Sequence, residues 1–552
     1  MPTISISTDK LRDGLETDLT VDELEEELAQ LGTDVEAIDD ETTKVEIFPN
    51  RPDLLSSHGL LRNLRGLLDE ETGLKEYPVH DSEYTVSVSE AVRDVRGRTA
   101  CAVIKGLSLD QDDLDELIAL QEKLHVTYGR ERAKCAIGLY PLDKLSFPIT
   151  YTALKPDNIA FTPLGSKTEQ SAETILSSHE KGEKYNELLA DKSKYPVFQD
   201  SAGSFLSLPP IINSQHTGRV TTSTTDLFIE SSGHDLETVL RALNIVCAHL
   251  SDAGGSVHEV NIEYPDETVR TPSIDDVDTT SVKTTKVNEW LGTDLEPETM
   301  TTMLGRMRHG VNITENGEII NVSNPTYRVD MIGSSDVIED VAIGYGFNEV
   351  GTDDQRDHTN GAQTHETRFE NKIRSYIVGA GFQEVYTFSL TNASTAADLS
   401  TDTPVELANT VSDTYNALRC SIIPEHLGVL QSNAHYSYPQ KLFEVGRVFK
   451  DDASQETGVR EETHLCLTVS GSEDGFSMIQ GLLQGLEERF DCSINVKEHS
   501  HPAMIAGRTA ALITNSDIIG VFGELHPSVL NDFDVKQPTS AGEIDLRPII
   551  NK

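Results

Sequence analysis

Acidic residues run along this chain from end to end, and any fold it adopts must hold them at a surface or pair them inside. The 552 residues carry 92 Asp and Glu against 45 Lys and Arg, a formal net charge of −47. A charge of that size repels itself in dilute buffer, and it repels nucleic acid and anionic membranes. The acids form no terminal block, so the pattern reads as a surface adapted to concentrated salt. At about 1 M salt the Debye length is roughly 3 Å, and the self-repulsion is largely screened. In that setting the net charge does not exclude an RNA partner.

A hydrophobic fraction of 37% is enough for ordinary cores. At roughly 100–200 residues per domain the length predicts about three to five domains. No two of the six cysteines lie closer than 26 residues, so no CxxC, zinc ribbon or dense disulfide framework is encoded. The opening "MPTISISTDKLRDG" lacks a basic n-region and an apolar h-region, and no apolar run approaches the ~18 residues of a membrane span. The expectation is a soluble cytoplasmic protein with reduced thiols.

The overall pattern predicts an α+β multidomain chain. Residues 1–85 read as a small α/β domain. In "TVDELEEELAQLG" Thr20 and Glu23 have capping-box spacing, Val21, Leu24, Leu28 and Leu31 are apolar, and Gly32 is a stop. "KVEIF" is a short strand, and "PNRPD" breaks the chain before the helix "LLSSHGLLRNLRGLL". Residues 95–265 form a mixed α/β stretch, with strand-like "TACAVIKGLSL" and "HEVNIEY" and the helix "DLETVLRALNIVCAHL". "DETVRTPSIDDVDTT" reads as a linker. Residues 271–350 hold two short helices and a strand pair in a winged-helix-like order. After the connector "NEVGTDDQRDHTNGAQTHETR", residues 360–552 alternate helices and strands.

Most catalytic signatures are absent. "HEKGEK" at His179 and "HETRF" at His365 lack the second histidine of a zincin, and "GYGFNE" has Glu349 where GxGxxG needs glycine. There is no P-loop and no GxSxG elbow.

"YRVDMIGSSDVIEDVAIGYGF" carries four carboxylates. Val337, Ile338, Val341, Ala342 and Tyr345 predict one apolar helix face, which Ser334 or Ser335 can cap. Asp336, Glu339 and Asp340 then share a face at i, i+3 and i+4, and Asp330 can fold back beside them. Two readings stay open on spacing alone. Oxygen donors suit a hard cation such as Mg²⁺. Acids in a first helical turn are also favoured by the macrodipole, by about 0.3–1 kcal/mol each, with no ligand at all.

Taken in order, several stretches resemble the β subunits of phenylalanyl-tRNA synthetases of archaeal and eukaryotic type. "FPNRPDLLSSHGLLRNLRG" is similar to their N-terminal signature, and "QEKLHVTYGRERAKCAIGLYPLDKL", "LPPIIN" and "TTDLFIESSG" to their editing domain. "PTYRVDMIGSSDVIEDVAIGYGF" resembles their metal-bearing domain. "FSLTN", "LRCSIIPEHL", "KLFEVGRVF", "HPAMIAGRTA" and "GVFGELHP" resemble their C-terminal domain, an antiparallel-sheet domain of class II synthetase type. With the acid surplus, the resemblance points to a halophilic archaeon.

The resemblance implies a Mg²⁺ site at Asp330, Asp336, Glu339 and Asp340, near the contact with the α subunit. It implies ATP-dependent attachment of phenylalanine to tRNA(Phe) by an (αβ)₂ heterotetramer, with ATP and phenylalanine bound at the α subunit. In agreement, "GFSMIQGLLQGLEERF" lacks the Gly-rich, ATP-contacting pattern of a catalytic class II domain. It further implies hydrolytic editing of Tyr-tRNA(Phe) in this chain, with Glu230 and Ser232 recognising the tyrosine side chain and Ser207 and Asn213 lining the pocket. The alternative is a non-editing scaffold that binds the α subunit, Mg²⁺ and tRNA. Arg130, Arg132 and Lys134 in "YGRERAK", and Arg306 and Arg308 in "LGRMRHG", are the local basic clusters open to an RNA contact. With the chain stopping at Lys552, the expectation is that the extra anticodon-binding domain of bacterial relatives is absent.

Overall fold

Helix starts follow the local code. In the computed structural model, which describes residues 2–351, 360–490, 492–515 and 517–550, the helix Val21–Gln30 begins at the expected capping box. Thr20 Oγ1 accepts from the Glu23 amide at 3.3 Å, and the Glu23 carboxylate accepts from the Thr20 amide at 2.9 Å. Its apolar stripe packs Leu24 and Leu28 onto a three-stranded sheet with Thr42–Glu46 between Thr3–Ser7 and Asp34–Ile38. The "PNRPD" break becomes the 3₁₀ turn Pro52–Leu54. Ser56 then caps the buried helix Ser57–Leu67 by accepting from the Gly59 amide.

The chain divides into two compact units, Met1–Asp354 and Gln355–Lys552. In the first, a five-stranded sheet runs Val79–His80, Ser256–His258, Arg98–Lys105, Leu227–Gly233 and Cys135–Pro141, the last an edge strand. Period-two alternation sorts its side chains. Ala100, Ala102 and Ile104 join the core beneath the helices Gln111–Val126 and Leu236–Asp252. Cys101, Val103, Tyr140 and Phe228 face a second, seven-stranded sheet through Val86, Tyr151 and Phe198. Burial on both faces makes these strands read as continuous apolar runs.

The stretch expected to be a linker is instead structured. Thr268–Thr271 pairs with Val260–Glu263, and Val277–Lys283 pairs with Ile319–Pro325. Edge strands with one face in water tolerate the Asp and Thr that disguise them. Strands Val79–His80 and Thr85–Val88, ahead of residue 95, also belong to these sheets. Three strands, with Ile319–Pro325 central, then pack on the helices Thr284–Leu291, Pro297–Arg306 and Ser334–Tyr345.

Residues 352–359 of the expected connector lie outside the described residues. In the second unit, Gln440–Asp451, Val459–Ser470, Thr539–Asp545, Asp517–Leu525, Met504–Thr514 and Asn495–Glu498 form consecutive antiparallel neighbours. The helices His365–Gly379 and Gly475–Phe490 cover one face through Ile373, Ile377, Ile479 and Leu486. The other face buries charge. Arg419 Nη2 donates to Glu444 Oε1 at 2.7 Å, with both side chains sealed from water.

Candidate functional site

A cavity of about 530 Å³ opens beside the edge strand Cys135–Pro141. Its floor is Glu230, which the alternation of Leu227–Gly233 points toward the inter-sheet core on the side of Phe228. Gly138 lies opposite Glu230 in the register. A Cβ there would fall 2.3 Å from Tyr140 Oη and 2.6 Å from Glu230 Oε1, so the glycine makes room for those groups to meet. Tyr140 Oη lies 3.2 Å from Glu230 Oε1 and 3.3 Å from Asn213 Oδ1.

Glu230 is buried against no cation. Burial pushes its carboxyl up to about 8, although Tyr140, Arg96 and Ser232 all pull it down. Near neutrality it is therefore mostly a neutral acid that can donate to Tyr140, whose own O–H is then free for Asn213. Glu230 Oε2 and Ser207 Oγ are buried without hydrogen-bond partners. Together they offer an acceptor and a donor to a polar group entering the cavity.

Ser207 and Asn213 reach the cavity from one hairpin. They partner each other between Phe205–Leu208 and Ile212–Asn213, and Gly218 lets the following loop close against Asn213. The opposite wall comes from the helix Gln111–Val126. Burial pulls His125 down to about 4, and its Nε2 accepts from the Ile137 amide at 2.8 Å. That imidazole is neutral and its acceptor nitrogen is already engaged, so it is not a free base. Against burial, His125 together with Arg132 and Lys181, the last two at 2.7 Å and 2.9 Å, holds the Glu122 carboxyl below its ordinary range.

Of the four pocket residues expected from sequence, Ser207, Asn213 and Glu230 line this cavity. Ser232 stands behind Glu230 on the same strand face, where its Oγ accepts from Arg96 Nε at 3.3 Å. Tyr140, Gly138, Glu122 and His125 were not singled out by sequence, although a glycine inside an apolar strand is itself a mark of close approach. Arg132, expected in a basic cluster open to an RNA contact, is instead buried. It ends three consecutive left-handed residues, Arg130, Glu131 and Arg132, at φ 48°, 51° and 67°. Such a run costs about 1–2 kcal/mol per residue and persists only where the surroundings impose it.

The second acidic site differs from its expected form. The helix Ser334–Tyr345 is capped at Gly333 rather than by either serine. Asp336 Oδ2 accepts from the Gly333 amide at 2.6 Å and from the Ile332 amide at 2.8 Å. Asp330 lies beyond the strand Ile319–Pro325 and takes a bidentate grip from Arg328, at 2.8 and 2.7 Å. Asp340 is fully buried between Arg328, at 2.9 Å, and His309 Nε2, at 2.5 Å. Burial would raise it, but Arg328 and His309 hold it at about 2. Glu339 keeps an exposed side chain, and partial desolvation with the negative Asp340, Asp330 and Asp336 pushes it up.

A cavity of about 600 Å³, bounded also by Asn50 and Arg51, collects Asp330, Glu339 and Asp340. Arg51 there is matched by its own partner Asp53, at 2.9 Å. Asp330 and Asp340 both pair with one guanidinium, Arg328, so negative charge is in surplus here, and these oxygen donors suit a hard dication. Their ligand atoms do not gather within 4.8 Å of one another; among the described residues the trio that does is Glu462, His464 and Asp545. That trio is an ion network. Lys450, Arg460 and Arg547 pair with Glu462, and against burial Glu462 and Glu543 hold His464 up at about 9, which removes its metal-binding lone pair.

Three family models match the chain: "Phe-tRNA synthetase beta subunit B1 domain" over residues 1–70, "tRNA synthetase B5 domain" over 280–347, and "Phenylalanyl tRNA synthetase beta chain CLM domain" over 354–546. The phenylalanine–tRNA ligase β subunit of Pyrococcus horikoshii is 35% identical over 100% of both chains. That of Archaeoglobus fulgidus is 37% identical over 99% of this chain and 98% of its own. A crystal structure of an N-terminal fragment of the Pyrococcus horikoshii phenylalanyl-tRNA synthetase β subunit superposes with a TM-score of 0.60 at 35% identity. It covers 62% of this chain and 99% of the fragment.

The Glu230 environment sets a pH signature. A carboxyl whose pKa rises from 4.5 to about 8 on folding favours the native state below 4.5 and loses that contribution as pH climbs to 8. Relative to wild type, Glu230→Gln should therefore gain stability progressively across this window, by on the order of a few kcal/mol at its upper end. Unfolding temperatures measured from pH 4 to pH 9 (roughly the titration window) would show a pH-independent difference if Glu230 were not buried as an acid.

Proposed function

The chain belongs to the phenylalanine–tRNA ligase β-subunit family, and from that premise we propose that it charges tRNA(Phe) with its α-subunit partner and hydrolyses tyrosine misattached to that tRNA. It is a subunit of an aminoacyl-tRNA ligase, and a β subunit implies an α partner. The finer reading is an (αβ)₂ heterotetramer in the cytoplasm, with ATP and phenylalanine bound by the α subunit. No helix among the described residues is long and apolar enough to cross a membrane.

One observation carries the editing reading: a buried acid without a cation stands beside a buried hydroxyl without a partner, at the floor of a cavity. Tyrosine differs from phenylalanine by one phenolic O–H. A hydrophobic pocket rejects such an addition weakly, whereas a site built to hydrogen-bond the hydroxyl discriminates strongly. Glu230 Oε2 is suited to accept the phenolic proton and Ser207 Oγ to donate to the phenolic oxygen. Tyr140 and Asn213 fix the Glu230 carboxyl, and Ser232 with Arg96 supports it from behind. Phenylalanine in the same place leaves both groups unpaired.

The acidic cluster is read as a Mg²⁺ site, with Glu339 the carboxylate least committed to protein partners and Asp330, Asp336 and Asp340 completing the set. Bound there, the cation would neutralise the charge that raises Glu339. Arg328 and His309 already hold Asp340 in place for it.

Three outcomes test these readings. The αβ complex should deacylate Tyr-tRNA(Phe) far faster than Phe-tRNA(Phe), and Glu230→Ala should remove on the order of 10²-fold of that preference. A wild-type complex that hydrolyses neither is a scaffold, and an unaffected variant removes Glu230 from the site. Glu339→Gln, and Asp336→Asn (which keeps the capping acceptor), should each lower the magnesium retained by the dialysed complex in elemental analysis; full retention returns the cluster to ordinary surface acid. Finally, we read the acid surplus as adaptation to salt. The unfolding temperature should climb steadily as KCl is raised to about 1 M, where charge repulsion is screened; a flat profile contradicts that origin.

A further inference from the structure

The N-terminal three-stranded sheet ends on one side in Thr3–Ser7, which pairs with Thr42–Glu46 and, among the described residues, with no other strand. We propose that the free edge of Thr3–Ser7 binds an extended, partly basic segment of the α-subunit partner as an added β-strand. The proposal goes beyond the deacylation and Mg²⁺ readings and needs neither; it takes from the family only that an α partner exists.

The alternation of the ladder tells which backbone groups are free. Ile4 lies opposite Val45 and Ile6 opposite Thr43. At the two ends, the Ile47 amide donates to Pro2 O at 3.0 Å and the Thr8 amide to Glu41 O at 3.2 Å. Bonded pairs recur at every second residue of an antiparallel ladder, so Pro2, Ile4, Ile6 and Thr8 direct their backbone groups to the sheet. Thr3, Ser5 and Ser7 direct theirs to the open edge. Lys123 Nζ already donates to one of these, Thr3 O, at 2.6 Å. Among the described residues no group meets the Ser5 amide, the Ser5 carbonyl or the Ser7 amide, and both serines are exposed. An edge with unpaired donors and acceptors is a template for one more strand.

The surroundings select what that strand is. A cavity of about 410 Å³ runs between the edge and the helix Gln111–Val126, where the small, exposed Ala119 leaves width. Lys123 reaches the edge-facing Thr3 O from this helix, so the helix stands where a second sheet would continue. The slot therefore takes a lone extended segment and not the edge of another sheet. Lys10 is committed to Asp113 and Glu116 at 3.0 and 2.8 Å, whereas Asp112 and Asp115 line the same cavity, exposed, and among the described residues neither meets a cation. A strand laid against Ser5 alternates its side chains between the buried side of Ile4 and Ile6 and the exposed side of Ser5 and Ser7. Apolar residues suit the first side, and Lys or Arg suits the second because of the unpaired acids at the rim. Backbone pairing supplies affinity in such docking, and the alternate side chains supply specificity. A second copy of this chain, at a net charge of −47, is repelled, so the basic segment fits the α partner.

The test uses the intact αβ complex. Covered by an added strand, the Ser5 and Ser7 amides should exchange hydrogen at least about tenfold more slowly than unpaired, exposed amides. Exchange at the unpaired rate overturns the proposal. A photo-crosslinking residue in place of Asp115 should join a peptide of the α subunit that holds Lys or Arg; a product within this chain or between two copies of it overturns the proposal as well. Ser5→Pro removes the edge-facing donor and leaves the pairing with Thr42–Glu46 in place, because proline is tolerated where an edge amide points outward. It should return the Ser7 amide to fast exchange and weaken association with the α subunit by on the order of tenfold. Undiminished Ser7 protection in that variant is the contrary result. Should the proline variant not fold, Asp112→Asn combined with Asp115→Asn carries the same comparison: the rim charge is lost, and protection of Ser5 and Ser7 should fall by roughly threefold or more. Unchanged protection there overturns the basic-segment docking.

Discussion

Cations are scarce in this chain, and the fold depends on where they are placed. With two acids for each base, a carboxylate taken out of water has few partners to find, and an unpaired buried charge costs several kcal/mol. The buried acids meet that constraint one by one. Asp53 lies against Arg51, Asp340 against Arg328, Glu444 against Arg419, and Glu462 against Lys450 and Arg460. Glu543 faces a protonated His464, and Asp200 takes backbone amides in place of a cation. Arginine dominates because its fork satisfies both carboxylate oxygens at once.

Glu230 departs from this rule, and the departure singles out the candidate site. No cation touches it, so it folds as a neutral acid whose second oxygen stays unpartnered. Groups held at such cost against the surrounding trend are typical of functional centres. The scaffold bears the cost through redundancy: two sheets, a buried hairpin turn and two guanidinium groups converge on one small cavity. The acidic helix near Glu339 has the opposite character. There, charge accumulates at a surface, and Arg328 and His309 meet only part of it.

Local rules were legible wherever the residues that act are close in sequence. The Thr20–Glu23 capping box, the Pro break ahead of Ser57–Leu67 and the apolar face of Ser334–Tyr345 all formed from neighbours within a few positions. Illegible elements depended on distant partners. Thr268–Thr271 and Val277–Lys283 are strands only because other strands accept them, so their polar letters read as linker. Asp336, expected among cation ligands, caps its helix in the structure, a role that spacing does not reveal. Ser232 shares a strand face with Glu230, but the packing of Arg96 puts it behind the cavity rather than in it.

The sequence by itself determined the acid surplus, the order of domains, the family and the residue types at both sites, because each is a property of composition or of motifs short enough to read along the chain. The tertiary structure alone decided which charges are paired. Arg132 and Arg306 look alike in sequence as cations in basic runs, yet one braces a buried hairpin turn and the other bridges Asp69, 237 residues away, at 2.6 Å. Pairing is a matter of distance and dielectric, which separations along the chain do not encode. For the same reason only the fold could leave Glu230 without a cation.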